Sequence, residues 1–257
     1  MLLTIDIGNS SIKFGVFDAE HLVDKFLIQT RRDYTTEELL FDRLRYVDEK
    51  FLRIDSVSVS SVVPELDHIV TEACENIVQV TPVFVDHTFD FGIKINYEPR
   101  TAGTDRLINA SAAAEKYGRP VIVCSFGTAT TIDAVNAAGE YLGGAIAPGL
   151  NTLAAALHLN TSKLPLVVVN KPDSVIGSTT VDSIRSGVFF GYLGLVEGLI
   201  RRMFEELGET PIVIATGGLA QTVAANCDLI KRVDENLMLD GLRILFERRA
   251  HKPMLAK

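Results

Sequence analysis

The chain has 257 residues, 47% of them hydrophobic and 23% charged, a globular mix that excludes disordered, collagen-like and coiled-coil classes. That length accommodates one large domain or two of ordinary size. With 25 basic against 33 acidic side chains, the formal net charge of −8 supplies no overall positive field to draw the protein to nucleic acid or anionic lipid.

Leu2 to Ile7, Ile12 to Asp18 and Leu22 to Gln29 are apolar and β-branched, which predicts three strands, the first two hinged at Gly8-Asn9-Ser10. Thr35-Thr36-Glu37-Glu38 has N-cap chemistry, and Leu39, Leu40, Leu44 and Val47 continue it as a helical stripe. Val57 to Val63 reads as a strand, Pro64 opens a helix carrying Ile69, Val70 and Ala73 on one face, and Pro82 to Val85 is a short strand. Gly103-Thr104-Asp105 can start a helix over Leu107 to Ala114. Downstream come strands at Val121 to Cys124 and Thr130 to Val135, turn and strand at Gly143 to Gly149, and helices at Leu150 to Leu159 and Val181 to Leu207. A strand at Ile212 to Thr216 and helices at Leu219 to Asn226 and Leu237 to Arg248 follow. Strands alternating with helices point to an α/β fold.

The chain also resembles itself. Asp6-Ile7-Gly8-Asn9-Ser10-Ser11-Ile12 matches Ser125-Phe126-Gly127-Thr128-Ala129-Thr130-Thr131, each after an apolar strand and each continuing into a β-branched run. Two related halves, 1–117 and 118–257, are expected, joined near Lys116 to Pro120. A chance match of a few small residues is the plain alternative.

The cationic stretches Arg31-Arg32 and Arg248-Arg249 to Lys252 carry no interleaved aromatics and read as solvated surface, so no nucleic-acid partner is expected. No continuous apolar run approaches the roughly 18 residues of a membrane span, and MLLTIDIGNS lacks a basic n-region, so a cytoplasmic protein without a membrane partner is expected. Cys74, Cys124 and Cys227 form no CxxC pair and read as buried small hydrophobes, and the histidines form no HxH or HExxH cluster.

In the first hairpin, Gly8, Ser10 and Ser11 are small enough for backbone N–H groups to approach a polyanion. Lys13 adds positive charge, and Asp6 supplies a hard oxygen suited to magnesium. A polar β-turn with one carboxylate at its edge explains the same residues. Neither the GxGxxG nor the Walker spacing is present. The second hairpin, Gly127 to Thr131, offers small hydroxyl residues, and Thr216-Gly217-Gly218 puts bare backbone after a strand, where an adenine or ribose could lie.

Two phosphate hairpins from matched halves followed by TGG resemble the acetate kinase, sugar kinase, Hsp70 and actin superfamily. Within it, the chain is similar to the type III pantothenate kinases through DIGNSSIKFGVF from Asp6, YEPRTAGTDRLINA from Tyr97, FGTATTIDAV from Phe126 and GGAIAPGL from Gly143. GSTTVDSIRSG from Gly177, ATGGLA from Ala215 and LMLDGL from Leu237 extend the likeness over nearly the whole chain. The resemblance implies an actin-like (ribonuclease H-like) duplicated α/β fold, two similar halves with a nucleotide cleft between them. It implies transfer of the ATP γ-phosphoryl group to pantothenate with magnesium and a monovalent cation, potassium or ammonium, in a homodimer.

The resemblance also implies roles. Asp105 becomes the general base, with helix capping as its alternative. ATP contacts fall on Asp6, Gly8, Asn9, Ser10, Ser11, Lys13, Gly127, Thr128, Gly217 and Gly218, with Asp6 on magnesium. Tyr97, Gly103, Thr104, Asp105, Arg106 and Thr180 match positions around pantothenate; Arg106 otherwise reads as a surface ion pair and Thr180 as an N-cap. Two departures stand out. The family's acidic residue in the second hairpin is Ser125 here, so its monovalent cation site is expected to be weaker, rebuilt or lost. Gly-Ser-Thr-Thr at 177–180 replaces the common Gly-Lys-Asn-Thr and removes a lysine. Two rival readings remain at this point: another small-molecule kinase of the superfamily, and a nucleotide-binding regulator without turnover.

Overall fold

A computed structural model describes residues 1–31, 50, 54–96, 98 and 101–250. The helix expected from Thr35 lies outside the described residues. The chain divides into two compact units, the first comprising Met1–Gly92, Glu98–Ala112 and Asn236–Lys257, the second Ile93–Tyr97 and Ala113–Glu235. These units are not a single cut near residue 117, and the first unit's packing shows why.

That unit holds a five-stranded sheet in the order β3-β2-β1-β4-β5, from β1 (Leu2–Ile7), β2 (Ser11–Asp18), β3 (His21–Gln29), β4 (Ser56–Ser61) and β5 (Val83–Phe84). β1–β2 and β2–β3 pair antiparallel, β1–β4 and β4–β5 parallel. Strand alternation sorts the two faces. One presents Leu3, Ile5, Ile7, Ile12, Phe14, Val57 and Val59, buried against Leu66, Ile69 and Val70. Each such aliphatic side chain taken from water contributes about 1.5–3 kcal/mol. Pro64–Leu66 forms a single 3-10 turn before helix α1 (Asp67–Ala73), so the expected helix starts three residues late.

The opposite face carries Thr4, Gly15 and Ser58, small enough for a helix to come close. Helix α6 (Leu237–Ala250; helices are numbered in chain order) fills that space. Ser58 Oγ donates to Leu242 O at 3.3 Å, and a Cβ on Gly15 would lie 3.1 Å from Leu239 Cδ1. Helix α2 (Thr104–Tyr117) begins in this unit, and its Ile108 side chain meets α6 at Gly241. These contacts bring the segment from Asn236 back to the first unit.

The second unit has a six-stranded sheet, β11-β10-β7-β8-β9-β6. Its strands are β6 (Lys94–Ile95), β7 (Val121–Phe126), β8 (Ala129–Val135), β9 (Glu140–Pro148), β10 (Ile212–Thr216) and β11 (Arg232–Val233). Read from β9, the order β9-β8-β7-β10-β11 repeats β3-β2-β1-β4-β5, with antiparallel pairs followed by parallel ones. The duplication read from the hairpin motifs is therefore present in the topology, with β6 added at one edge. Helices α3 (Leu150–Leu159), α4 (Thr180–Leu207) and α5 (Ala220–Ala224) accompany the sheet.

By length and composition α4 alone among the described helices could cross a membrane, although no unbroken apolar run announces it in the sequence. In the structure its face of Ile184, Val188, Tyr192, Val196 and Ile200 is core of the second unit. The three cysteines are free and buried, and burial pushes the Cys74 thiol up to about 12, as expected for small core hydrophobes.

Candidate active site

In the first unit the site grows from the carboxyl end of β1. Asp6 is directly opposite Lys13 of β2 and Ser60 of β4, so the three side chains form a row across adjacent strands on one face. Lys13 Nζ donates to Asp6 Oδ2 at 3.2 Å. Ser60 is fully buried and its hydroxyl has no hydrogen-bond partner. The turn beyond Asp6 closes with Gly8 N–H donating to Ser11 O at 3.0 Å, and leaves Asn9 and Ser10 exposed. Thr30 holds this turn from outside, its Oγ1 donating to Gly8 O at 2.6 Å and its N–H to Ser10 O at 3.1 Å.

Asp105 sits in the first turn of α2, where the Arg106 and Leu107 N–H groups donate to Gly103 O at 3.0 and 3.3 Å. Burial pushes its carboxyl above the ordinary value, against the N–H groups of Arg106 and Asp105 and the charges of Arg106 and Lys13. Asp6 is likewise pushed up by burial; Lys13 pulls it down and the Asp105 charge raises it. Its carboxylate takes helix N–H groups, as a residue of the helix start would, and is at the same time a carboxyl raised by burial within electrostatic range of Lys13. Arg106 is buried rather than a surface ion pair. Gly103 and Thr104 adjoin Asp105, whereas Tyr97 lies outside the described residues.

In the second unit Ser125 holds the corresponding place on β7, directly opposite Thr131 of β8 and Thr216 of β10. The row is all hydroxyl. Gly127 N–H donates to Ala129 O at 3.1 Å, and Thr128 O accepts from Gly149 N–H at 3.0 Å and from Thr152 Oγ1 at 2.6 Å. Gly217 adopts φ +93°, and a Cβ there would lie 2.6 Å from Phe126 O, so this glycine lets the TGG turn press on the root of the second hairpin. Gly218 faces open space. The second hairpin and the TGG turn are thereby brought together.

Thr180 is exposed at the start of α4 and is not its cap. Thr179 is, accepting from Asp182 N–H at 3.1 Å, while Ser178 and Thr179 hydroxyls both donate to Asp182 Oδ2. Ser178 and Thr179 therefore secure the helix terminus.

Magnesium keeps several waters and takes only one or two protein carboxylates beside substrate phosphates. Asp6, with Asp105 in electrostatic range and the unpartnered Ser60 hydroxyl next to it, fits that demand. Among the described residues no group of three or more His, Cys, Asp or Glu could cage an ion, as this magnesium chemistry allows. Sequence reasoning missed Thr30, Ser60 and Thr152. The alternating serines of SVSVSS signal a small-residue face, but nothing in the sequence places Ser60 beside Asp6.

The family model for type III pantothenate kinase matches residues 2–202. The chain belongs to the type III pantothenate kinase family. The type III pantothenate kinase of Citrifermentans bemidjiense is 44% identical over 252 residues, covering 96% of this chain and 99% of that protein. Among solved structures, a Campylobacter jejuni protein assigned to the Baf family of transcriptional activators superposes with a TM-score of 0.63 at 20% identity, covering 97% and 100% of the two chains. The inorganic polyphosphate/ATP-glucomannokinase of Arthrobacter sp. strain KM gives 0.51 at 13%, covering 96% and 98%. The fold is that of actin-like ATPases and sugar kinases.

Proposed function

We propose that the protein transfers the γ-phosphoryl group of ATP to the primary hydroxyl of pantothenate, giving 4'-phosphopantothenate in the first step of coenzyme A biosynthesis, as a cytoplasmic enzyme. The observation that carries the reading, beside family membership, is the meeting of Asp105, Lys13 and Asp6 in one unit, with both carboxyls raised. Asp105 takes the hydroxyl proton as the alcohol oxygen bonds to the γ-phosphorus. The bond from that phosphorus to the bridging oxygen breaks, and ADP leaves with the electron pair. Lys13 and Arg106 offset phosphoryl charge, and the hairpin turns at Gly8 to Ser11 and at Gly127 to Thr128 orient the phosphates. Asp6 would hold magnesium, which supplies neutralisation of the phosphate oxygens when bound. Gly217 and Gly218 offer the nucleoside bare backbone.

Pantothenate is held by Tyr97, Gly103, Thr104, Arg106 and Thr180, and a monovalent cation is held weakly at Ser125. Assembly as a homodimer uses the α3–α4 face. A cavity of about 610 Å³ lies there, lined by Leu153, Leu157, Leu164, Ile184, Val188 and Gly191, and backbone at Gly187, Gly191 and Gly194 is open. Sedimentation of a monomer at micromolar concentration would overturn the dimer.

A coupled assay with pantothenate, ATP and magnesium, with and without potassium, tests the activity. Phosphorylated pantothenate is the expected product. MgATP binding without turnover would leave the regulator reading, which Ser125 favours.

A further inference from the structure

Each hairpin is gripped by a threonine that follows the third strand of its five-stranded repeat. Thr30, just after β3, donates through Oγ1 to Gly8 O at 2.6 Å, and its N–H donates to Ser10 O at 3.1 Å. Thr152, in the first turn of α3 just after β9, donates through Oγ1 to Thr128 O at 2.6 Å, where Gly149 N–H also donates at 3.0 Å. The same device is thus built twice, once from a residue between elements and once from a helix, with one hydroxyl and one backbone N–H closing on carbonyls of the turn.

A carbonyl in a tight turn carries lone pairs that repel a phosphate, whereas the N–H of the same peptide attracts it. The peptide is planar and trans, so its C=O and N–H point in opposite directions. Pulling the Gly8 carbonyl toward Thr30 turns the Asn9 N–H the other way, and pulling the Thr128 carbonyl toward Thr152 does the same for Ala129 N–H. We propose that Thr30 and Thr152 are positioning residues for ATP, each fixing a peptide plane of one phosphate hairpin so that carbonyl oxygen faces away from the polyphosphate. The proposal rests on the phosphate-binding reading of both hairpins. Thr30 is half-buried and Thr152 exposed, so water replaces the lost hydroxyl more readily at Thr152, and Thr30 carries the larger share.

The test uses the full chain with Thr30→Val and Thr152→Val, which exchange hydroxyl for methyl, beside Thr30→Ser and Thr152→Ser, which keep it. MgATP affinity is measured by calorimetry and KM for ATP and for pantothenate by coupled assay. Thr30→Val weakens MgATP about three- to tenfold, the scale of one hydrogen bond, Thr152→Val less. KM for pantothenate stays within about twofold, the serine variants return near the native value, and the double valine variant multiplies the single effects because the hairpins are separate. Native MgATP affinity in both valine variants overturns the proposal. So does an equal rise in both KM values with a lowered Tm, which marks a merely structural role. Asp6→Asn, run in parallel, separates the two levels. If it weakens MgATP while the valine variants do not, only the threonine roles fall; if it too leaves MgATP unchanged, the hairpin reading falls and takes them with it.

Discussion

Asp6 and Ser125 occupy equivalent places in two sheets of matching order. Each is the second-last residue of the strand from which its hairpin springs, flanked by one residue of the antiparallel neighbour and one of the parallel neighbour. The first row reads Lys13-Asp6-Ser60 and the second Thr131-Ser125-Thr216, so equivalent backbone carries a charged site once and a neutral one once. Hydroxyl oxygens bring dipoles where a carboxylate brings a full charge, so the proposed monovalent cation site at Ser125 is expected to be weak. Ser125→Asp is expected to strengthen activation by potassium over sodium at constant ionic strength, which holds general screening fixed. Saturable potassium activation of the native chain at low millimolar concentration would refute the weakened site.

Asp6→Asn keeps the shape of the row and removes its negative charge. Magnesium-dependent ATP binding and turnover are expected to fall together, because a neutral amide is a poor partner for a hard divalent cation. Calorimetry with MgATP and the coupled assay check this, and unchanged values in both would exclude Asp6 from the phosphate site.

Asp105→Asn is expected to lower turnover about 10²-fold or more, the scale of a lost general base, while MgATP still binds. The native carboxyl is raised above its ordinary 3.8, so the acid limb of kcat/KM lies above that value, and activity falls as pH drops through it and the base becomes protonated. The stability effect has the opposite sense. A carboxyl raised in the folded state favours folding when protonated, and that contribution is lost as pH rises through the folded value. Asp105→Asn therefore raises Tm at pH 7 relative to the native chain, with the gain shrinking below pH 3.8. A lower Tm at pH 7 would contradict the burial penalty.

The two glycines of the TGG turn differ in what they tolerate. Gly217→Ala forces a side chain into the left-handed region at about 1–2 kcal/mol and drives its Cβ onto the Phe126 backbone, so urea unfolding shifts to lower midpoint. Gly218→Ala meets nothing within 4 Å and leaves the midpoint unchanged, while KM for ATP rises if the nucleoside lies against that backbone. A normal midpoint for Gly217→Ala would refute the close approach.

Much of this was readable beforehand where local chemistry decides. β1, α3 and β10 run over the expected residues, and the likeness of the Asp6 and Ser125 motifs foretold a topology repeated twice. Three other features depend on tertiary context. β6 and β11 are two residues each and exist only through pairing with β9 and β10. Ser178, Thr179 and Thr180 are all plausible caps by composition, and only backbone geometry selects Thr179. The Ser58 to Leu242 hydrogen bond joins residues 184 positions apart, a separation at which no hydrophobic period carries information.

That same bond bears on how the molecule is made. The second unit uses no residue beyond Glu235, whereas the first needs α6. On a ribosome the unit begun first is therefore completed last, and its sheet must wait with the α6 face uncovered. What waits is a mixed surface, Thr4, Gly15 and Ser58 beside Phe17 and Leu22, while the aliphatic face beside α1 can already close. An exposed nascent sheet is a hazard for aggregation when its bare side is greasy; here the side left open during synthesis is the less apolar of the two, with Phe17 and Leu22 its greasy part.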